Sequence, residues 1–142
     1  MKATLILWPM LVQIFLTIVV FILLAARKIK AVKSGFDRNK AALDNNAWPD
    51  YVRQVSNNLQ NQFQTPVLFY VLSLVFLQTN SVTVLVLVLS WIYVASRMIH
   101  SYIHTTSNYV PMRFRSFLVG CLALMALACV LALQLAVPGI FT

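Results

Sequence analysis

Long apolar runs alternate with polar connections along this chain, and the length of each run decides what it can become. Positions 5–26 are apolar apart from Gln13 and Thr17, which suits a helix of roughly 20 residues crossing about 30 Å of hydrocarbon. Positions 82–95 give a run of fourteen residues that is apolar apart from Thr83 and Ser90, so a crossing helix there must continue through Ser96, Arg97 and His100 to about Ser101. Positions 117–137 are apolar apart from Gln134, up to Pro138-Gly139. The fourth run, 66–77, has only twelve residues and is too short to cross alone. If it spans, its helix begins near Asn57 and draws Asn57, Asn58, Asn61 and Gln64 into the membrane. Amides at that depth avoid lipid and face a bundle interior or a wet cavity. The pattern predicts an all-α, integral membrane four-helix bundle, a single domain over 1–142 with spans at about 4–26, 57–77, 82–101 and 116–137.

Local signals refine these elements. Trp48-Pro49-Asp50 reads as a helix start, because Pro is pre-set for a first turn and an acid is favoured near the positive helix end. The second helix is expected from Pro49 to Leu77, with Pro66 as a kink or local loosening inside it. Gln54, Asn57, Asn61 and Gln64 follow one another at spacings of three, four and three, which places them on one helix face. Arg97, His100 and His104 share a face of the third helix in the same way. Arg113, Arg115 and Ser116 open the fourth. Helix two enters, helix three leaves and helix four enters at one end of the bundle, so all three groups are expected at one depth.

Composition narrows the class. With 61% apolar and 10% charged residues and a mean hydropathy of +0.81, the chain is a membrane protein rather than a soluble domain. The first run is longer than the roughly 7–15 residues of a secretory signal core and carries its basic cluster on the far side, so it reads as a retained anchor. The net charge of +8 is a topology signal. Seven cations between Arg27 and Arg53 make the first loop cytoplasmic, Arg97, Arg113 and Arg115 do the same for the third, and both termini fall on the opposite side. The charge also draws anionic lipid head groups, and no nucleic-acid-binding motif accompanies it. Cys121 and Cys129 lie about 12 Å apart along one helix, beyond disulfide reach, and are read as packing residues.

Candidate chemistry follows from the shared depth. All three acids, Asp37, Asp44 and Asp50, lie in the first loop, which leaves the arginines of the candidate site without an acidic partner and suited to an anionic ligand. The competing reading is structural: amides join membrane helices through interhelical hydrogen bonds, and cations at helix ends reach for head groups. His104 is expected in a solvent-exposed loop. Two histidines without Cys, Asp or Glu beside them make a poor metal site, and Ser116 shows no sign of a triad. Tyr70, Trp91, Tyr93, Tyr102 and Tyr109 are expected to include interface aromatics.

Asn61-Gln62-Phe63-Gln64-Thr65-Pro66, then Arg97-Met98-Ile99-His100, then Arg113-Phe114-Arg115-Ser116 resemble the MAPEG family, the membrane-associated proteins in eicosanoid and glutathione metabolism. The resemblance covers the four-span plan and nearly the whole chain. It implies a homotrimer that holds glutathione between neighbouring subunits in the cytoplasmic half of the membrane. Arg115 and Ser116 match the motif that stabilises the glutathione thiolate. Arg97 matches a carboxylate-binding Arg, and Asn61 the family's Asn on helix two. His100, Gln64, Asn57 and Arg113 complete the expected glutathione-binding set. Gln64 and Asn57 depart from the family pattern, being neutral where an acid and a base are usual.

The expected activity is that of a glutathione-dependent transferase or peroxidase of a bacterial inner membrane, acting on lipophilic electrophiles or lipid hydroperoxides. The alternative is a non-catalytic trimeric membrane scaffold or lipid-binding protein of the same fold. A proton-coupled exporter is disfavoured because no span carries an acid.

Overall fold

The computed structural model describes residues 2–137 and Ile140. Among them, five α-helices follow a short 3-10 turn at Ala3–Ile6: α1 at Leu7–Lys33, α2 at Asp50–Gln62, α3 at Thr65–Gln78, α4 at Val84–Thr105 and α5 at Val110–Ala136. Ala3–Lys33, α4 and α5 are long and apolar enough to cross a membrane. The start of α2 at Asp50, capped by Pro49, agrees with the Trp48-Pro49-Asp50 signal.

The expected second helix is two helices. Pro66 does more than kink it: α2 ends at Gln62, and α3 begins at Thr65 with the proline in its first turn. A proline inside a helix has no N–H for the carbonyl four residues back, and it pushes the preceding residue out of the helical region. At Phe63 and Gln64 the chain therefore turns over, with the Phe63 N–H on the Gln60 carbonyl and the Val67 N–H on the Gln64 carbonyl.

The ends of the bundle are tied by side chains. Gln54 of α2 donates from Nε2 to the His104 and Thr106 carbonyls at 2.7 and 3.1 Å, which sets the start of α2 beside the α4–α5 connection. Gln134 of α5 donates to the Ser81 carbonyl at 3.1 Å at the other end. The long first connection and the α4–α5 connection therefore lie at the same end, as the charge pattern requires.

Two apolar cores fill the bundle. One joins Ile6, Met10, Phe69, Phe76, Tyr93, Val94, Leu124 and Leu127, and the other joins Val20, Leu24, Ala31, Val52 and Val55. α4 and α5 form the most extensive helix pair, and α1 packs chiefly on α2. Gly120 allows the α4–α5 approach, since a Cβ there would meet the Ser96 Oγ at 2.6 Å. Tyr93 is not an interface aromatic: it is fully buried, stacks on Phe69 at 4.6 Å and donates its hydroxyl to the Thr65 Oγ1 at 3.2 Å. Large apolar side chains such as Trp8, Phe15, Ile22 and Val84 are exposed on the outer surface, as a lipid-facing surface requires.

Candidate functional site

Between the two apolar cores lies a layer of polar side chains. Gln13 of α1 donates to the Gln62 Oε1 at 3.0 Å, and Gln62 donates to the Ser101 Oγ at 2.7 Å. Ser101 in turn donates to the Asn58 Oδ1 at 3.2 Å. All four residues are buried, and together they join α1, α2 and α4. Asn58 and Gln62 are not on the Gln54–Asn61 stripe. They continue the buried stripe of Val52 and Val55, and that continuation was the signal available in the sequence for them.

Arg97 occupies the centre of this layer with 1% of its surface exposed. Its Nη2 donates to the Asn61 carbonyl at 3.3 Å, and its guanidinium lies over the Phe117 ring at 5.7 Å. The helix break makes the first contact possible. In an uninterrupted helix the N–H of residue 65 would take the carbonyl of residue 61, whereas here the chain turns and leaves that oxygen to the guanidinium. Nε and Nη1 of Arg97 meet no acceptor among the described residues.

His100 and His104 complete the α4 face. The His100 Nδ1 is 3.0 Å from the Arg113 carbonyl, while its buried Nε2 has no partner among the described residues. His104 is buried in the last turn of α4, which corrects the expectation of an exposed loop residue. Its Nδ1 is 3.5 Å from the Asn61 Nδ2, and its ring stands edge-on to His100 at 5.5 Å. Burial follows from helical register, since 97, 100 and 104 share one face and that face is covered by α2 and α5.

An open cleft of about 240 Å³ borders this layer, lined by Asn61, Gln64, His100, Val110, Arg113, Phe114 and Phe117. Four of the expected site residues, Asn61, Gln64, His100 and Arg113, thus meet at one place, with Arg97 directly behind Asn61 and Phe117. Arg113 is held by a 2.6 Å bond from its Nη1 to the Asn108 Oδ1.

The other three lie apart from the cleft lining. Asn57 is exposed and borders a separate depression with Asp50, Arg53, Gln54 and Asn108. Arg115 is exposed on α5. Ser116 is half-buried and donates its hydroxyl to the Arg113 carbonyl at 2.9 Å, a bond that occupies its proton within the helix. The expected single face of α2 is therefore divided: Gln54 and Asn61 turn toward α4, Asn57 toward the surface, and Gln64 sits in the break.

The electrostatics follow from where the acids are. Asp37 accepts from the Asn39 N–H at 3.0 Å and Asp44 from the Asn46 N–H at 2.8 Å, each capping a short 3-10 turn. Asp50 pairs with Arg53 at 3.1 Å on the surface. Arg97 and Arg113 have no carboxylate beside them among the described residues, and a guanidinium in a region of low dielectric favours an anion strongly. No curated protein and no solved structure matches the chain, but the MAPEG family model matches residues 5–133. This integral membrane α-helical protein therefore belongs to the MAPEG family.

Proposed function

We propose that the protein is a glutathione-dependent transferase or peroxidase that works on lipophilic electrophiles or lipid hydroperoxides within the membrane. The observation that carries this reading is Arg97: a buried guanidinium with two unpartnered nitrogens, set behind a cleft whose remaining walls are amides, an imidazole and aromatic rings. Arg97 and Arg113 suit the carboxylates of the tripeptide, Asn61 and Gln64 suit its amides, and Val110, Phe114 and Phe117 suit a lipophilic co-substrate arriving from the bilayer.

The reacting group is the glutathione thiol, which loses its proton to water. A nearby guanidinium favours the thiolate. Its sulfur attacks the electrophilic carbon of an aryl halide, the C–S bond forms, and halide leaves with the C–X electron pair. With a hydroperoxide, the thiolate attacks the terminal oxygen to give an alcohol and glutathione sulfenic acid. A second glutathione converts that acid to the disulfide and water.

Arg115 is the thiolate-stabilising cation in this reading, with Ser116 beside it. Arg115 does not line its own protomer's cleft, and the cleft of about 240 Å³ is below the roughly 300–1,000 Å³ of a complete small-molecule site. Both facts fit a homotrimer in which a neighbouring subunit supplies the missing wall. The first loop and the α4–α5 connection would face the cytoplasm across a bacterial inner membrane.

The test is conjugation of glutathione to a small aryl halide by the detergent-purified protein. Arg115→Ala is expected to lower kcat/KM at least about a hundredfold, the scale of losing a charged stabiliser of the reacting anion. Unchanged activity would overturn the mechanism.

A second reading, a non-catalytic scaffold or lipid-binding protein of the same fold, is favoured by Gln64. This neutral amide lines the cleft where a carboxylate would pair with the ammonium of glutathione. Calorimetric titration decides between the two, because absence of binding at millimolar glutathione supports the scaffold.

A further inference from the structure

The connection between α1 and α2 builds a second groove, of about 420 Å³, that shares no residue with the cleft. Lys28, Ile29, Val32 and Lys33 of α1 line it, together with Arg38 and Trp48. Ile29 and Val32 are 56% and 42% exposed. They lie beyond Ala26, where the apolar run of α1 ends, and so belong to the part of the helix that has reached the head-group region. The indole of Trp48 is fixed beside them, stacked on Phe36 at 4.8 Å and covered by the Lys28 Nζ at 5.1 Å.

Charge on this groove is one-sided. Lys28, Lys33 and Arg38 border it and no acid is among its lining residues; Asp37, beside Arg38, and Asp44 accept from backbone N–H groups, and Asp50 pairs with Arg53. An aliphatic floor and an indole wall under a cationic rim, at head-group depth, have the complement of one kind of molecule. The phosphate of an anionic phospholipid fits the rim, while its glycerol and upper acyl segment fit Ile29, Val32 and Trp48. We infer that this groove binds one anionic phospholipid per chain, separately from any ligand of the cleft. The inference does not depend on the proposed catalytic activity.

Native mass spectrometry of the full chain in detergent, titrated with phosphatidylglycerol or phosphatidylcholine, tests it. One phosphatidylglycerol per chain is expected to stay bound under conditions that strip phosphatidylcholine. Replacing Lys28, Lys33 and Arg38 together by Gln is expected to weaken the phosphatidylglycerol adduct about a hundredfold, the scale of three cations at an anionic head group. A charge-matched variant, with Lys2, Lys30 and Lys40 replaced by Gln, is expected to stay within about twofold of the parent. Ile29→Ser keeps every cation and is expected to weaken retention several-fold while leaving the melting temperature unchanged. Equal loss in the two charge variants, equal retention of the two lipids, or full retention in Ile29→Ser would overturn the site.

Discussion

At the scale of single residues, Arg97 is held against its own cost. A buried guanidinium gives up hydration, and one carbonyl at 3.3 Å with one aromatic face returns only part of it. Removing a buried charge that lacks a full set of partners often stabilises a protein. Arg97→Met is therefore expected to raise the melting temperature of the ligand-free protein while abolishing anion binding in the cleft. Paired thermal melts and glutathione titrations check this, and a lower melting temperature would show that the guanidinium is a structural strut. Gly120 makes the opposite prediction. Gly120→Ala places a methyl at 2.6 Å from the Ser96 Oγ, a hydroxyl already bonded to the Tyr93 carbonyl, and is expected to cost about 1–3 kcal/mol. Adding Ser96→Ala removes the clashing oxygen and is expected to recover most of that loss in a double-mutant cycle.

At the scale of elements, the sequence was legible where periodicity was long and opaque where it was interrupted. The runs that became α1 and α5 announced themselves by length alone, whereas the one that became α4 had to be extended through Ser96, Arg97 and His100. The short run at 66–77 announced a problem without its solution, because apolar pattern measures burial and not whether two helical segments share an axis. Pro66 decided that question. The same break explains why only part of the candidate site could be read beforehand: Asn61 and His100 follow from helical spacing, whereas the turn-over at Phe63 and Gln64 sets where Gln64 finally sits. His104 was misplaced because the end of α4 was expected near Ser101, yet the helix runs to Thr105. Pro66→Ala tests the link between break and site. With an N–H restored, α2 and α3 are expected to fuse and the Asn61 carbonyl to return to its own helix. Ligand affinity is expected to fall about tenfold, the scale of one lost charge-assisted hydrogen bond, with helicity by circular dichroism rising slightly.

At the scale of the whole molecule, two apolar cores enclose a polar layer, and an exposed apolar surface surrounds both. Such a protomer leaves Arg115 and the open side of the cleft free for a neighbour. The expected assembly is a homotrimer, and native mass spectrometry in a mild detergent is expected to give three chains as the main species. A monomer that still conjugates glutathione would remove the need for a neighbouring subunit. None of this assembly was legible in the residues themselves, since apolar side chains facing lipid and apolar side chains facing a second copy obey the same pattern. The position of Arg97 also bears on how the chain enters a bilayer. It lies well inside α4, which is less apolar than α5, and an arginine at mid-helix costs about 2.5–3.5 kcal/mol on insertion. α5 brings the Phe117 ring to that guanidinium and pairs with α4 along its length. During biosynthesis, then, α4 has every reason to wait at the translocon for α5, so that the two slide into the bilayer as one hairpin.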